Sequence, residues 1–302
     1  MTVKVIYIAG QAFSGSTILC ALLGVHPAVE PVSELSMRSR KAATWDRMCS
    51  CGRPSRDCPF WTEVVQLWAE RRGALTVAAY AKLQGRIETI RYTWPRMLGR
   101  SPWPNEAEMQ IYAAATVSLF ESIVEASGRS IVVDSSKKPG RAVALCGLDG
   151  LDVSIIHLVR NGLNYVSSNI ARGVLSPVAP DFLYRVFRLG TKWSTANLAA
   201  DRAAAMNAPK GVRVRFEDLV ASPGAAMQSI EDALGLDLQS IREHLEASQP
   251  IPWRHMDSGS RHRRGGPTTL QPRLGSRPAL TARVRLAFYL GAAGMSRRFG
   301  YL

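Results

Sequence analysis

A short loop near the start of the chain combines glycines and hydroxyls in a pattern that suits the binding of an anion. Residues 10–19 read GQAFSGSTIL and follow directly on the apolar run VKVIYIA. The order G-x-x-x-x-G-S-T matches the phosphate loop of nucleotide-binding proteins at every position but one. The backbone N–H groups of Ser14, Gly15, Ser16 and Thr17 lie at the start of a predicted helix, where they would form an anion-binding nest.

The position that departs from the pattern decides which chemistry this loop can support. Ser16 stands where ATPases and GTPases carry a lysine that bridges the transferred phosphate. Without that lysine the loop lacks the charge that stabilises phosphoryl transfer, but it can still hold a nucleotide phosphate without a metal ion. A plain glycine-rich turn between a strand and a helix is the alternative interpretation of the same residues.

Two further polar stretches follow predicted strands and carry cations. The stretch VVDSSKKPGRA places Lys137 and Lys138 at the end of a strand. The stretch HLVRNGLNYVSSNIARG ends a strand at Arg160 and brings Ser168 eight residues later, on the next helix. An arginine and a helix hydroxyl in this arrangement can clamp a second phosphate group.

Strands alternate with helices along the chain, and this order predicts an α/β fold. Apolar, β-branched runs predict buried strands at 3–9, 130–134, 153–159 and 212–216. Helical patterns predict helices at 15–23, 61–72, 74–92, 105–127, 139–147, 163–172, 181–206, 223–234 and 280–298. We expect three α/β/α layers, with helices on both faces of a central parallel sheet. Because ligands bind at the carboxyl ends of such strands, the three polar stretches should meet at one edge.

In their order and spacing these residues resemble the PAPS-dependent sulfotransferase family, in its bacterial or membrane-type branch rather than its cytosolic branch. PAPS is adenosine that carries a 5′-phosphosulfate and a 3′-phosphate. SGST (14–17) is similar to the family's 5′-phosphosulfate loop, and RNGLNYVSS (160–168) to its 3′-phosphate motif. VRFEDLVASPGAAMQSIEDALGL (214–236) and GVHPAVEPVSEL (24–35) resemble two further family segments. The resemblance covers about residues 3–236.

The resemblance implies a P-loop-NTPase-like sulfotransferase fold and a donor, PAPS, that leaves as adenosine 3′,5′-bisphosphate (PAP). No metal is required, and the acceptor would be a hydroxyl, or less readily an amine, of a small molecule, carbohydrate or lipid. The donor-binding residues that it implies are Phe13, Ser14, Gly15, Ser16, Thr17, Arg160 and Ser168. A basic loop would add Arg261, Arg263 and Arg264, although the family's usual motif is absent there.

The resemblance also assigns catalytic roles. Glu34 corresponds to a glutamate that lies near the acceptor in relatives, so it is the candidate general base. Lys137 is the candidate cation or acid at the bridging oxygen, because SKKP is similar to the family's K-x-P stretch, and Lys138 is the fallback. A solvated loop carboxylate is the alternative for Glu34. His26, His255 and His262 are other bases, although a turn role suits His26 better.

Phe13 departs from the family pattern, since relatives place arginine or lysine at this position. That cation contacts the 5′-phosphosulfate, and its loss would weaken donor binding or transfer by a few kcal/mol. Another cation compensates, activity is low, or the donor differs. A phenyl ring at this position could also line the acceptor pocket. A donor-binding scaffold of weak or no activity is therefore an alternative function, and a magnesium-dependent P-loop kinase of small molecules is another.

Five cysteines are present, and three of them lie together in CSCGRPSRDCPFW. Cys49, Cys51 and Cys58 supply only three sulfurs, whereas tetrahedral zinc requires four ligands. A local disulfide, a zinc site completed from elsewhere and three free thiols all stay open, and we assign no metal ligand here.

The composition limits the class of partner. The net charge is +14, with arginines far outnumbering lysines, which suits an anionic ligand. No nucleic-acid-binding signature is present. No run reaches the length of a membrane span, and we expect a cytoplasmic protein. We expect one domain over 1–302, with a largely helical insertion at 36–128 on the acceptor side and an irregular basic loop at 249–278. The sequence does not indicate an oligomeric state.

Overall fold

Five parallel strands form one sheet in the order β2-β3-β1-β4-β5. The strands are β1 (Val3–Ala9), β2 (Val29–Ser33), β3 (Ile131–Lys137), β4 (Leu151–Val159) and β5 (Gly211–Arg215). A computed structural model describes residues 2–36, 47–99, 105–260, 266–270 and 279–302. The α/β class and the parallel sheet expected from the sequence are both present.

Helices cover both faces of this sheet and complete the three layers. In chain order they are α1 (Ser16–Leu23), α2 (Pro59–Arg72), α3 (Val77–Ile87), α4 (Ile90–Met97), α5 (Glu106–Ser127), α6 (Pro139–Cys146), α7 (Gly162–Ala171), α8 (Phe182–Met206), α9 (Phe216–Ala221), α10 (Pro223–Leu234), α11 (Gln239–Glu246) and α12 (Ala282–Arg298). Among the residues that the structure describes, none of these helices combines the length and the apolar character that crossing a membrane requires.

The central strand β1 shows why both faces must be covered. Val3, Val5 and Tyr7 point into the cluster built with α2, α5, α6 and α8. Ile6 and Ile8 point into the cluster on the opposite face, which α1, α10 and α11 cover. Because side chains alternate along a strand, a run that is apolar at every position buries both faces.

The sequence analysis missed the edge strand β2, whose residues read VEPVS. A proline such as Pro31 is untypical of a strand, since it donates no hydrogen bond to a sheet. β2 pairs with β3 alone and lies at the end of the strand order, where a missing donor is tolerated. Glu34 therefore follows the end of a strand directly.

The predicted helix at 74–92 is wrong as a single element, because α3 ends at Ile87 and α4 begins at Ile90. The backbone of Glu88 packs against the start of α6: a Cβ built on Gly140 would lie 2.2 Å from the Glu88 carbonyl oxygen. This tertiary contact interrupts a run that is helical by local pattern. The short helices α9 and α11 were also missed.

Candidate active site

The carboxyl ends of three neighbouring strands bring the predicted polar stretches together. Ala9, the last residue of β1, pairs with Lys137 of β3 on one side and with His157 of β4 on the other. The N–H of Gly10 donates to the carbonyl oxygen of Lys137 at 3.0 Å. The loop after β1 thus lies between the residues that follow β3 and those that follow β4, as expected for this edge of a parallel sheet.

The loop after β1 turns sharply through three residues with positive φ. Gly10 has φ +149°, and a Cβ there would lie 2.5 Å from the carbonyl oxygen of Leu158. Gly15 has φ +96°. Phe13 has φ +67°, which is uncommon for a residue with a bulky side chain. The loop is therefore a specific, strained turn rather than a plain flexible connection.

The turn leaves polar groups at the N-terminus of α1 that suit an anion. Ser14, Ser16 and Thr17 are buried, with 3%, 3% and 8% of each residue's surface exposed. The Ser14 hydroxyl has no hydrogen-bond partner among the described residues. The first N–H groups of a helix have no partner within the helix, and the helix dipole makes this end positive. A bound phosphate or sulfate would satisfy both the hydroxyl and these N–H groups.

Phe216 links this loop to the arginine that follows β4. A Cβ built on Gly15 would lie 2.2 Å from the Phe216 ring, so the loop backbone rests directly on that ring. The Arg160 guanidinium lies over the same ring, 4.5 Å from its centroid. Arg160 Nη1 also donates to the carbonyl oxygen of Phe13 at 3.2 Å. Arg160 and the loop are thereby held as one unit.

Gly15→Ala is expected to lower stability by at least about 1 kcal/mol and to weaken anion binding, because both its φ and the Phe216 ring exclude a side chain. Gly224→Ala is the matched control, since a Cβ there meets nothing within 4 Å. Urea denaturation of the two variants checks this expectation. Equal midpoints for the two variants would contradict the packing of Gly15 against Phe216.

Lys137 and Glu34, the two leading catalytic candidates, form an ion pair with each other. Their side chains are 16% and 15% exposed. Lys137 has φ +68°, and its Nζ also donates to the carbonyl oxygen of Ser135 at 3.2 Å. The candidate base and the candidate cation therefore neutralise each other beside the loop that follows β1.

Residues 258–260, in the segment that was predicted only as an irregular basic loop, hold Glu34 in place. The N–H of Glu34 donates to Ser258 Oγ at 3.0 Å, and Ser33 Oγ donates to the Ser258 carbonyl oxygen at 2.7 Å. Two residues further on, the N–H of Ser260 donates to Thr17 Oγ1 at 3.1 Å. The run DSGS of small polar residues was the only signal for this role in the sequence.

Lys138 contributes its backbone to a different contact. Its carbonyl oxygen accepts a hydrogen bond from the Tyr7 hydroxyl at 2.9 Å, and the residue precedes the first turn of α6. Burial, followed by the nearby Asp134 carboxylate, raises the pKa of Tyr7 well above its usual value. The Tyr7 hydroxyl therefore stays protonated and donates this bond throughout the physiological pH range.

Ser168 lies on α7, and the Phe13 ring of the loop after β1 faces the same helix. Ser168 Oγ donates to the Asn164 carbonyl oxygen at 2.7 Å, a bond within the helix. The Phe13 ring lies 5.9 Å from the ring of Tyr165. The Arg172 guanidinium covers the Phe13 ring at 4.4 Å, so a cation does occupy this neighbourhood although residue 13 is not one. Arg172 was missed because nothing in its local sequence sets it apart from the other arginines.

Of the remaining candidates, two histidines lie among the described residues and four basic residues lie outside them. His26 has the expected turn role, since its Nδ1 accepts from the N–H of Ala28 at 3.1 Å. Burial lowers its pKa, which keeps the ring in the neutral form that can accept. His255 lies beside Cys58, outside this loop cluster. Four predicted residues fall outside the described residues: Arg261, His262, Arg263 and Arg264.

Comparison with known protein families gives a match to the sulfotransferase family over residues 6–240, which is most of the chain. The chain belongs to the sulfotransferase family. The matched range includes the loop after β1, Glu34, the lysines after β3 and the residues from Arg160 to Ser168. It ends before the segment that contains Ser258 and Ser260. None of the curated protein sequences matches the chain.

Two solved sulfotransferase domains are similar to this chain over nearly the whole length of both proteins. The domain from the Synechococcus PCC 7002 olefin synthase is 18% identical, with a TM-score of 0.45, over 95% of this chain and 94% of that one. The domain from the curacin biosynthetic pathway is 15% identical, with a TM-score of 0.49, over 100% of this chain and 99% of that one.

Proposed function

We propose that this chain transfers a sulfuryl group from PAPS to a hydroxyl of a small-molecule, carbohydrate or lipid acceptor, without a metal ion in the transfer. The observation that carries the proposal is the Ser14 hydroxyl, which is buried near the start of α1 and has no hydrogen-bond partner among the described residues. In the same loop, Ser16 stands where P-loop NTPases carry a lysine. This loop offers neutral donors and a helix dipole to an anion, and it lacks the lysine that phosphoryl transfer requires.

The donor would be held at two anionic ends. Residues 14–17 would bind the 5′-phosphosulfate, and Arg160 with Ser168 would bind the 3′-phosphate. PAPS supplies the activated sulfuryl group when bound. The N–H groups at the start of α1 would stabilise the negative charge that builds up on the departing 5′-phosphate, because their dipoles are already oriented towards it.

The ion pair between Glu34 and Lys137 supports a proposed role for each of these residues in the transfer. Lys137 would exchange its bond to Glu34 for one to the anionic 5′ end of the donor, where its charge stabilises the leaving group. The Glu34 carboxylate, released from the pair, would accept the proton of the acceptor hydroxyl. The ion pair would thus keep the base neutralised until the donor is present.

Arg172 would supply the positive charge that relatives place at residue 13. Its guanidinium already lies against the Phe13 ring, and a cation over an aromatic face is held there by the ring quadrupole. An exposed arginine at the end of α7 can reach towards the loop while the ring keeps it in the neighbourhood. Phe13 would then position a cation instead of providing one.

The decisive test is a thermal shift with PAP in magnesium-free buffer without a chelator, followed by turnover of sulfur-labelled PAPS with a panel of acceptors. We expect PAP at a saturating concentration to raise the melting temperature by several degrees without magnesium. Arg160→Gln should remove most of the shift, whereas Arg285→Gln, on the exposed side of α12, should keep it. A folded protein whose melting temperature does not change with PAP would contradict the proposal.

A donor-binding scaffold without activity is the second candidate, and two observations favour it. Phe13 replaces the cation of relatives, and the candidate base and cation are paired with each other. A PAP-dependent shift without turnover on any acceptor would support this function. ATP-dependent transfer that requires added magnesium would instead indicate the P-loop kinase.

A further inference from the structure

Four side chains of metal-ligating type converge outside the candidate active site. They are Cys49, Cys51, Cys58 and His255, and one ligand atom from each lies within 4.8 Å of the others. The Cys58 Sγ and the His255 Nδ1 are 3.3 Å apart. Zinc–sulfur and zinc–nitrogen bonds at tetrahedral angles place ligand atoms about 3.5–3.8 Å apart. The cluster therefore has nearly the dimensions of a closed tetrahedral site.

The first two cysteines lie on a tight turn. Met48 and Pro54 form an antiparallel bridge that closes it. Within the turn, the N–H of Cys49 donates to the Arg53 carbonyl oxygen at 2.8 Å, and the N–H of Gly52 donates to the Cys49 carbonyl oxygen at 3.0 Å. Gly52 has φ +86°, a conformation that favours glycine. The backbone alone thus brings Cys49 and Cys51 to the same side.

The fourth side chain comes from a distant part of the chain and is held independently of the sulfurs. His255 lies 197 residues after Cys58, and its ring stacks on Phe60 with centroids 5.0 Å apart. The Trp61 indole N–H donates to the His255 carbonyl oxygen at 2.7 Å. On the other side, the N–H of Ser50 donates to the Met256 carbonyl oxygen at 2.9 Å. Contacts on both flanks aim the imidazole at the cysteines.

We propose that Cys49, Cys51, Cys58 and His255 bind one zinc ion as a structural site. Three thiolates and one imidazole form a donor set that zinc prefers, and four protein ligands leave no open position for a substrate. A local disulfide would use only two of the three sulfurs and would give the histidine no role. The fourth ligand that the sequence could not supply nearby is therefore His255.

Such a site would hold in place the segment that contacts Glu34 and Thr17 in the candidate active site. His255 precedes Ser258, which holds the N–H of Glu34, and Ser260, which bonds to Thr17. Asp257 in the same segment accepts a hydrogen bond from Ser55 at 2.8 Å, beside the cysteines. The zinc would hold this segment against the start of α2 without taking part in the transfer. The site does not depend on the proposed function, since its ligands lie outside the donor-binding residues.

Metal analysis of the purified full chain tests the proposal directly. We expect about one zinc per chain by mass spectrometry of the metal, and lower melting temperature after chelation. Replacement by Co²⁺ should give the visible absorption bands of a tetrahedral site together with thiolate charge-transfer bands. Cys58→Ser and His255→Ala should become substoichiometric in zinc, whereas Cys146→Ser, outside the cluster, should keep its full content.

His255→Cys provides a variant that keeps four ligands. We expect it to retain zinc and to shift the cobalt bands towards those of a four-thiolate site. A wild-type chain that holds no zinc after expression with added zinc, and whose thiol titration shows a disulfide within the cluster, would overturn the proposal. Full zinc content in both Cys58→Ser and His255→Ala would also overturn it. All these readouts are independent of PAP binding, so they separate this site from the proposed function.

Discussion

Replacing Lys137 by methionine is expected to lower kcat for sulfuryl transfer by about 100- to 1000-fold, the usual effect of removing one preorganised charge at a transition state. Methionine keeps most of the aliphatic stem and removes only the ammonium that pairs with Glu34. Lys137 also adopts φ +68°, a conformation that a non-glycine residue keeps only where its surroundings impose it. Initial rates with labelled PAPS, at saturating donor and acceptor, measure the change.

Two controls make the result specific. Lys82→Met removes an exposed lysine on α3 and should leave kcat unchanged. Lys138→Met should have a much smaller effect than Lys137→Met, because the Lys137 ammonium is the one that pairs with the candidate base Glu34. A large loss in the Lys138 variant and none in the Lys137 variant would transfer the role to Lys138.

Arg172→Gln tests whether this arginine replaces the cation that relatives carry at the position of Phe13. If it does, the variant should bind PAP more weakly and lose rate, whereas Arg188→Gln, which is exposed on α8, should not. Phe13→Arg in the Arg172→Gln background should then restore part of the loss. An unaffected Arg172 variant would mean that Arg172 does not replace that cation.

Local pattern was enough to predict the parts of the site that depend on single strand ends. β1 is apolar at nearly every position, and such a run requires both faces of a sheet to be covered. Once the strands are parallel, the residues after β1, β3 and β4 must share one edge. The meeting of Arg160 with the carbonyl oxygen of Phe13 follows from this geometry, although the two residues are far apart in sequence.

Contacts between distant segments could not be predicted in the same way. Ser258 and Ser260 form hydrogen bonds with Glu34 and Thr17, which are more than 200 residues away in the sequence. The periodicity of apolar residues predicts local elements and gives no information on such long-range contacts. The fourth ligand beside the cysteines, His255, is distant for the same reason. β2 was missed because its proline is compatible with a strand only at a sheet edge, and edge position is a property of the whole sheet.

A buried ionic cluster behind the site also escaped sequence analysis. Arg141 is completely buried on α6; its Nε donates to Asp134 at 2.8 Å, and a second nitrogen pairs with Glu88. The Tyr112 hydroxyl donates to Glu88 at 3.0 Å. The N–H of Ser136 donates to the other oxygen of Asp134 at 2.9 Å, and Ser136 Oγ accepts from the N–H of Ser36 at 2.9 Å. One arginine therefore supports the backbone beside Glu34.

Arg141→Met is accordingly expected to lower the free energy of unfolding by about 3–5 kcal/mol, because it leaves two buried carboxylates without their counter-charge. Urea denaturation, fitted with a common slope, measures the loss, and Arg285→Met on the exposed side of α12 is the control. Adding Glu88→Gln and Asp134→Asn to Arg141→Met should recover part of the loss, since the charges are then removed together. An Arg141→Met chain as stable as the wild type would mean that the carboxylates are neutral or hydrated without their partner, and that the cluster is not what holds Ser136 and Ser36 in place.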